Sequence, residues 1–286
     1  MPKRHFVDSV DFRKMSSRLF LGLLFSSVIG LTAYRRKSLD KSGVLGSIVS
    51  GTSIVGMGGW SWGLSLVYFF VSSSLLSSFR EPEKASIASD KFSKGSRRDF
   101  SQVAANGALA TFFALCFGFS RTASTRRRTK SGFVGALATA TADTWATELG
   151  TLSTTHPRLI TNGIPVAPGT SGGITPLGTA ASALGASSMG FLYWATQGFR
   201  TSLAHTPLLA LFSGMAGSCV DSVLGATLQV MYTCPNCKTE TEQHIHHCGT
   251  RTQFLRGIPW MNNDVVNFIA TTVGSAVAII LDIFFA

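Results

Sequence analysis

The sequence predicts an all-α fold, a polytopic bundle of transmembrane helices with about eight spans. Hydrophobic residues make up 45% of the 286 residues and charged residues only 14%, and the mean hydropathy is +0.27. The apolar residues fall into runs of roughly 20, the length that crosses a bilayer as a helix. The 29 glycines favour helices that pack closely through small residues, as membrane helices do.

The chain begins with a basic tail, residues 1–18, and continues with an apolar run from Leu19 to about Tyr34. Three basic residues, 35–37, follow this run directly, and no small-residue cleavage site precedes them. The run is therefore expected to stay in the protein as the first span rather than to be removed as a signal peptide. The integral membrane domain is expected to cover residues 19–286.

Further apolar runs supply the other spans. The stretch from Gly43 to Phe79 is too long for one crossing, and its glycine-rich centre at 56–59 predicts two spans or a tightly bent hairpin. Five more runs follow, at Gln102–Ser120, Ser131–Thr151, Pro176–Ala195, Pro207–Tyr232 and Asp264–Phe285. Eight spans result, with seven or nine as the alternatives. Polar loops are expected at 80–101, 152–175 and 233–262.

The chain is basic, with 25 lysines and arginines against 14 acidic residues and a net charge of +11. The basic clusters at the N-terminus, 35–41, 80–98 and 121–130 cannot all lie on one side, so the positive-inside rule does not fix the orientation. The expected partners are the lipid bilayer and phosphorylated lipids. Nucleic acid is not expected, because no recognition motif is present. A bacterial plasma membrane and a eukaryotic endomembrane both suit this composition, and the oligomeric state stays open.

Two acidic residues lie inside an otherwise small and apolar segment, T-A-T-A-D-T-W-A-T-E-L-G at 139–150. Asp143 and Glu148 are costly to place in a membrane, and such residues usually form ion or substrate sites. The structural alternative is that threonines cap these carboxylates or that a basic residue pairs with them. As functional groups they would suit Mg²⁺, which binds one or two carboxylates together with phosphate and water.

A third acid, Asp221, lies 78 positions after Asp143 in a similar small-residue setting, where Asp221-Ser222 corresponds to Asp143-Thr144. The similarity indicates either a degenerate internal repeat or a chance match between Gly/Ala-rich segments. A true repeat would place Asp143 and Asp221 face to face across one site.

The segment 156–176 holds four prolines and four glycines, so it cannot be helical throughout. Gly169 to Gly173, followed by Pro176, has the form of a glycine-rich loop that enters a helix. Free backbone N–H groups and the helix dipole favour a phosphate at such a place. A simple turn is the alternative. The lysine of a P-loop is absent.

Basic residues at the end of the 80–99 loop form a second candidate phosphate site. Lys94, Arg97 and Arg98 precede an apolar run that carries Gln102 and Asn106. Their side chains would reach phosphate oxygens at the membrane surface. The alternative is a mobile, solvated loop.

A Cys/His loop follows Tyr232. Cys234-x-x-Cys237, with His247 and Cys248 ten or eleven residues later, offers a tetrahedral ligand set that suits structural Zn²⁺ better than an iron–sulfur cluster. His244 is the alternative to His247. The last span opens with W-M-N-N-D-V-V-N at 260–267, where helix capping uses one or two of the polar side chains and leaves Asp264 and Asn267 for a site at the membrane border.

Seven motifs carry a family resemblance. They are K-S-L-D-K-S-G (37–43), Q-V-A-A-N-G (102–107), A-D-T-W-A-T-E-L-G (142–150), P-R-L-I-T (157–161), P-G-T-S-G-G-I-T (168–175), V-D-S-V-L-G-A (220–226) and N-N-D-V-V-N (262–267). From about Tyr34 to its end the chain resembles the integral membrane family that includes transmembrane protein 19 and plant phytyl-phosphate kinase, with bacterial relatives.

The resemblance implies a kinase that transfers phosphoryl from a nucleoside triphosphate, with CTP as one candidate, to an isoprenoid monophosphate such as phytyl phosphate. Asp143, Glu148 and Asp221 would act in catalysis and hold Mg²⁺. The substrate and phosphate positions implied by the motifs are Arg98, Gln102, Asn106, Arg158, Gly169, Thr170, Gly172, Gly173, Asn263, Asp264 and Asn267, and Asp40 is a further polar motif position.

The chain departs from this family at two places. Ser72 to Phe79 reads S-S-S-L-L-S-S-F where relatives carry lysines, which puts a phosphate contact there in doubt. The Cys/His loop is absent from the animal and plant branches, so zinc is not expected to serve the shared chemistry. A transporter or flippase of an anionic lipid or small solute is the rival function, because acid-bearing repeated helices also bind coupling ions.

Overall fold

The computed structural model describes residues 12–88, 91 and 97–284. Within these residues, eight helices of 18 or more residues form a bundle, joined by one short helix, α4 (Glu81–Ala88), and a 3₁₀ turn, Thr201–Leu203. The long helices are α1 (Phe12–Arg35), α2 (Lys41–Gly58), α3 (Trp60–Ser78), α5 (Phe100–Phe119), α6 (Ala123–Gly150), α7 (Pro176–Thr196), α8 (Thr206–Thr227) and α9 (Asn263–Phe284).

In the described part of the chain, four segments are long and apolar enough to cross a membrane: Lys14–Arg35, Phe100–Phe119, Thr201–Thr227 and Asn263–Phe284. Helices α3 and α4, bent by 69° at their junction, make a fifth if the pair counts as one span. The helical membrane architecture is thus confirmed, but the predicted eight spans are not. The other long helices are rich in Gly, Ser and Thr, and α6 also carries an R-R-R-T-K segment near its start.

Helix α6 forms the centre of the bundle. All residues from Ser131 to Ala142 are buried, and α6 packs against α3, α5, α7, α8 and α9. The Trp62 and Phe133 rings stack with centroids 4.1 Å apart. A helix enclosed by protein needs no apolar outer face, which explains why α6 has a weak hydrophobic signal. Helix α1 lies at the edge, and its exposed Phe20, Leu24 and Val28 form a surface suited to lipid.

The ends of the helices show one predicted break and two differences from the predicted boundaries. Gly59 alone joins α2 to α3 with a φ of +91°, a conformation that favours glycine, so the predicted pair of helices is confirmed. Helix α1 begins at Phe12, inside the segment predicted as a basic tail, and residues 1–11 lie outside the described chain. The predicted polar loop 80–101 contains helix α4.

The basic clusters are divided between the two ends of the bundle. One end, here called the loop end, carries the described residues of the connections at 36–40, 79–88, 97–99, 151–175 and 228–262. The Asp40 amide donates to the Arg98 carbonyl over 3.0 Å at this end. At the other end, Arg127 Nε lies 2.8 Å from the Asp282 carboxylate. The cluster at 35–41 and the described residues of the cluster at 80–98 therefore lie opposite the cluster at 121–130, which is why the charge pattern gave no orientation.

Among the described residues, two small antiparallel sheets of short strands lie at the loop end, beside the helical bundle. The strands are β1 (Arg158–Leu159), β2 (Gly173–Ile174), β3 (Met231–Thr233), β4 (Glu240–Thr241) and β5 (Gln253–Arg256). Strand β1 pairs with β2, and β3 lies between β4 and β5. The predicted span Pro207–Tyr232 therefore ends early, at Thr227, because its last residues enter β3.

Candidate functional site

A polar cavity of about 670 Å³ opens among helix ends at the loop end of the bundle. The N-terminal turns of α5, α7 and α9 contribute residues to its wall, as do the C-terminal parts of α6 and α8. Helix N-termini present unpaired N–H groups and a partial positive charge, both favourable to an anion. Three such termini converge on this one cavity.

Asp143 of α6 and Asp221 of α8 line the same cavity, and their carboxylates are close enough to repel each other. Ser218, one turn before Asp221, is within hydrogen-bonding reach of Asp143. Asp221 Oδ2 is buried and has no hydrogen-bond partner among the described residues. Because a buried, unpaired carboxylate oxygen is costly, this pair of acids is suited to bind a cation.

Glu148, the third predicted acid, is engaged elsewhere. Its carboxylate forms an ion pair with Lys84 of α4 and accepts a hydrogen bond of 2.5 Å from Ser77 Oγ. Lys84 Nζ also donates to the carbonyls of Leu76 (2.6 Å) and Ser77 (2.9 Å). All three ammonium protons are thus used, and the pair fastens α3 and α4 to α6.

The three acids predicted to hold one metal are therefore divided into an Asp143–Asp221 pair and a separately paired Glu148. Among the described residues, no three carboxylates come together as a metal cluster. The structural alternative, pairing with a basic residue, holds for Glu148. The neighbouring Thr144 does not cap a carboxylate, since its hydroxyl donates to the Ala140 carbonyl at 2.8 Å.

Arg98 supplies a cation to the cavity wall. Its guanidinium donates to Ser74 Oγ at 3.1 Å and uses few of its five N–H groups in doing so. Burial lowers the pKa of Arg98, and the nearby Glu148 carboxylate raises it. A guanidinium keeps its charge under such shifts, so Arg98 remains a cation with donors to spare.

The K-S-L-D-K-S-G motif fixes the backbone of Arg98. The Arg98 amide donates to the Ser38 carbonyl, and the Asp40 amide to the Arg98 carbonyl, each over 3.0 Å. A Cβ added at Gly43 would lie 2.4 Å from the Arg98 carbonyl oxygen, so glycine is required for this close approach. Asp40 itself caps α2 by accepting from the Gly43 amide at 2.7 Å.

Side chains at two other helix starts follow the capping pattern. Asp99 and Gln102 form a capping box at the start of α5, and Gln102 also lines the cavity. Asn262 Oδ1 accepts from the Val265 amide at 3.1 Å and caps α9. Asp264 accepts from Ser101 Oγ at 2.9 Å and joins α9 to α5.

The glycine-rich loop lies against α8 and leads into α7, as predicted. Gly169 and Gly172 have φ values of +79° and +81°. A Cβ at Gly172 would lie 2.5 Å from the Ala226 Cβ, so glycine fits here for both conformation and space. Thr175 caps α7 by accepting from the Gly178 amide at 3.0 Å. Among the described residues, no hydrogen bond uses the amides of Ser171 and Gly172.

The structure brings most of the predicted site residues to this cavity. Those lining it are Asp143, Glu148, Asp221, Arg98, Gln102, Asn106, Gly169, Thr170, Gly172, Gly173, Asn263, Asp264 and Asn267. They come from distant parts of the chain, and the packing of four helices, α5, α6, α8 and α9, assembles them with Arg98 and the glycine-rich loop.

Two predicted basic residues among those described, Arg158 and Arg97, do not join them. Arg158 is exposed on β1, and its guanidinium donates to the Gly163 carbonyl at 2.9 Å. Arg97 Nε donates to the Leu39 carbonyl at 3.0 Å, and its guanidinium lies over the Tyr34 ring. Lys94 lies outside the described residues.

Sequence reasoning missed Lys84, Ser218, Gln229 and Glu242, which also line the cavity. Lys84 is in a connector that was expected to be a solvated loop, and Glu242 is in the Cys/His loop, so neither has a local signal. Glu81 lines the cavity as well, so that among the described residues six acidic side chains and two basic ones line it. Phosphate binding there would need further positive charge, as a metal ion provides.

The Cys/His loop also forms a cluster, with one ligand different from the prediction. The potential ligand atoms of Cys234, Cys237, His246 and Cys248 all lie within 4.8 Å of one another. His246 is buried, at 1% exposure, whereas His247 is exposed. The two imidazole rings lie with their centroids 4.0 Å apart, but only His246 joins the three cysteines in the cluster.

These features define the class: an integral membrane protein whose helices enclose a polar, acid-rich cavity at one end of the bundle. The chain belongs to the integral membrane protein family DUF92, whose family model matches residues 24–275.

Two relatives extend over nearly the whole chain. Protein PGR of Arabidopsis thaliana is 30% identical over 286 residues, covering 93% of this chain and 97% of its own. Uncharacterized membrane protein MJ0933 of Methanocaldococcus jannaschii is 30% identical over 275 residues, covering 95% of this chain and 98% of its own. No solved structure matches the chain.

Proposed function

We propose that this protein is a membrane kinase that transfers phosphoryl from a nucleoside triphosphate, with CTP as one candidate, to an isoprenoid monophosphate such as phytyl phosphate. The observation that supports it is the composition of the cavity. A carboxylate pair suited to a metal lines the same cavity as Arg98, the loop amides of Ser171 and Gly172, and three helix N-termini, all of which are suited to phosphate. Phosphoryl transfer is achieved mainly by positioning and charge stabilisation, which such groups provide.

The residues present fit Mg²⁺. The Asp143–Asp221 pair supplies two carboxylates, and the buried Asp221 Oδ2 has no hydrogen-bond donor among the described residues, a deficit that a bound cation would offset. Mg²⁺ is typically held by one or two carboxylates together with phosphates and waters. When bound, it neutralises phosphate charge during transfer. Such a cation would also offset the excess of acids around the cavity.

The residues of the chain then have separate tasks. Arg98 and the amides of Ser171 and Gly172 would bind phosphate oxygens and hold donor and acceptor in line. The acceptor is a phosphate monoester, so its attacking oxygen carries no proton at neutral pH and needs no base. A new P–O bond forms at the terminal phosphorus of the nucleotide, and the bond to the nucleoside diphosphate breaks. The Lys84–Glu148 pair positions α4 and α6 at the cavity wall.

A transfer assay tests the proposal. Purified protein is incubated with Mg²⁺, terminally labelled CTP or ATP, and phytyl or geranylgeranyl phosphate, and the lipids are separated by chromatography. We expect a labelled isoprenoid diphosphate. No product with any nucleotide–lipid pair would contradict the kinase. Flux of anionic lipid in liposomes without nucleotide consumption would then favour a transporter, a class in which discontinuous helices such as α3–α4 also occur.

Arg98→Gln is expected to raise the KM for the phosphorylated substrate by about tenfold or more, since charge-assisted bonds to phosphate are worth roughly 1.5–3 kcal/mol. Arg98→Lys should restore part of the loss because it keeps the charge but not the fork geometry. Steady-state kinetics on both substrates would measure this. The matched control is Arg97→Gln, one residue away and pointed at Tyr34. An equal increase in KM for Arg98→Gln and Arg97→Gln would show that Arg98 does not bind the phosphate in the cavity.

A further inference from the structure

The Cys/His cluster has distances that suit a metal rather than a disulfide. Cys234 Sγ lies 3.6 Å from Cys248 Sγ, and His246 Nδ1 lies 3.3 Å from the same sulfur. A tetrahedral zinc with Zn–S of about 2.3 Å and Zn–N of about 2.0 Å separates its ligand atoms by about 3.5–3.8 Å. A disulfide would need about 2.05 Å. These two separations between ligand atoms are thus already close to those of a tetrahedral zinc site.

The backbone around the cluster is folded into two tight turns that aim the ligands inward. In the first, the Cys237 amide donates to Cys234 Sγ at 3.5 Å, and the Lys238 amide donates to the Cys234 carbonyl at 2.8 Å. In the second, the Gly249 amide donates to the His246 carbonyl at 2.8 Å. Lys238 and Gly249 have φ values of +55° and +79°. A non-glycine residue with positive φ is uncommon, which indicates that the turn is imposed by its surroundings.

His246 is oriented as a metal ligand. Its Nδ1 faces Cys248, and its Nε2 lies 3.3 Å from Thr239 Oγ1. A ligating histidine usually engages its second nitrogen in such a hydrogen bond, which fixes the ring. Three sulfurs and one imidazole form a closed set, the composition of structural rather than catalytic zinc sites.

The loop that carries this cluster is fastened to the candidate active site. Arg256 of β5 forms an ion pair with Glu240 at 2.9 Å and donates to the Ala226 carbonyl, near the end of α8, also at 2.9 Å. Glu242, next to β4, accepts from Gln229 Nε2 at 2.7 Å and from Ser171 Oγ of the glycine-rich loop at 3.3 Å. The sheet β4-β3-β5 thus connects the cluster to the cavity wall.

We propose that Cys234, Cys237, His246 and Cys248 bind one structural Zn²⁺ that holds residues 231–256 against the cavity and keeps Glu242 on the glycine-rich loop. The site stands independently of the proposed kinase activity. Since structural zinc contributes directly to folding free energy, removal of the ion should loosen both this loop and the glycine-rich loop that it contacts.

Metal analysis of the purified full-length protein tests the ligand set. We expect about one zinc per chain, and less than about a tenth of it in Cys234→Ser and His246→Ala. The matched controls His247→Ala and Cys219→Ser should keep their zinc. Loss in His247→Ala with retention in His246→Ala would overturn the assignment of ligands. No zinc in wild-type protein purified without chelator from zinc-supplemented cells would overturn the site.

Two measurements on wild-type protein avoid the risk that a variant fails to fold. Chelator-treated protein titrated with Co²⁺ should gain the intense visible absorption of a tetrahedral thiolate site, and weak octahedral absorption would contradict it. Hydrogen exchange should increase at 231–256 and at 168–175 on chelation. Unchanged exchange at 168–175 would overturn the structural role assigned to the metal. Neither readout depends on catalysis, so kinase activity can fail while the zinc site stands.

Discussion

Asp143→Asn is expected to lower phosphoryl transfer by about 100-fold or more, the scale for removal of one preorganised electrostatic group. The amide keeps the size of the carboxylate but not its charge, so it should bind Mg²⁺ poorly. Asp221→Asn should lose as much, and the double variant should lose little more, because groups that act as a unit are not additive. The transfer assay described above, with saturating Mg²⁺, measures all three.

The thermal stability of the Asp143→Asn variant provides the control for this loss of activity. A buried carboxylate near another one is costly, so Asp143→Asn should leave thermal stability unchanged or raise it while activity is lost. Glu83→Gln is the matched surface variant, since Glu83 is partly exposed and pairs with Arg80 outside the cavity. It should keep full activity. If Asp143→Asn kept activity within a fewfold of wild type, phosphoryl transfer would not depend on the pair of acids.

Gly135→Ala is expected to destabilise the bundle by about 1–3 kcal/mol, the usual cost of overpacking a core. Its added Cβ would lie 2.7 Å from the Gly274 carbonyl oxygen and 2.9 Å from the Ser275 Cα. These are backbone atoms of α9, so no side-chain rotation can relieve the clash, and α6 and α9 must separate. Thermal unfolding in detergent, followed by loss of monodisperse protein, would show a lower midpoint.

Gly107→Ala is the matched control, a second buried glycine in the middle of a helix. Its added Cβ would meet only Ser50 Oγ, at 4.0 Å, so no overpacking follows. The helix propensity of alanine should leave stability unchanged or raise it, by up to about 1 kcal/mol. If both variants lowered the midpoint equally, the loss would reflect glycine itself rather than the close contact of α6 with α9.

Local patterns predicted individual elements well. Apolar runs located α5, α7 and α9, the glycine centre at 56–59 predicted the break between α2 and α3, and the Gly169–Gly173 loop was correctly expected to enter a helix. Each of these depends on interactions within a few residues: hydrophobic periodicity, capping and the φ preference of glycine. Such information is present in any short window of the chain.

The predictions for other residues were wrong because the positions of those side chains depend on neighbours distant in sequence. Glu148 carries the same intramembrane signal as Asp143, yet Lys84, 64 positions earlier, pairs with it. Arg97 and Arg98 are adjacent and equally basic, but the pairing of Arg98 with residues 38–40 directs one to the cavity and the other away. His246 and His247 are adjacent and chemically identical, but only His246 is buried in the cluster with the cysteines.

The sequence by itself determined that this is a helical membrane protein, which acids lie in its apolar segments, and which family it resembles, because composition and motif order are properties of the linear chain. Only the tertiary structure decided which acids form a pair, which arginine faces the cavity, and which histidine joins the three cysteines. Those outcomes depend on helix packing, where close contacts through small residues such as Gly135 and Gly274 set the positions of side chains many residues apart.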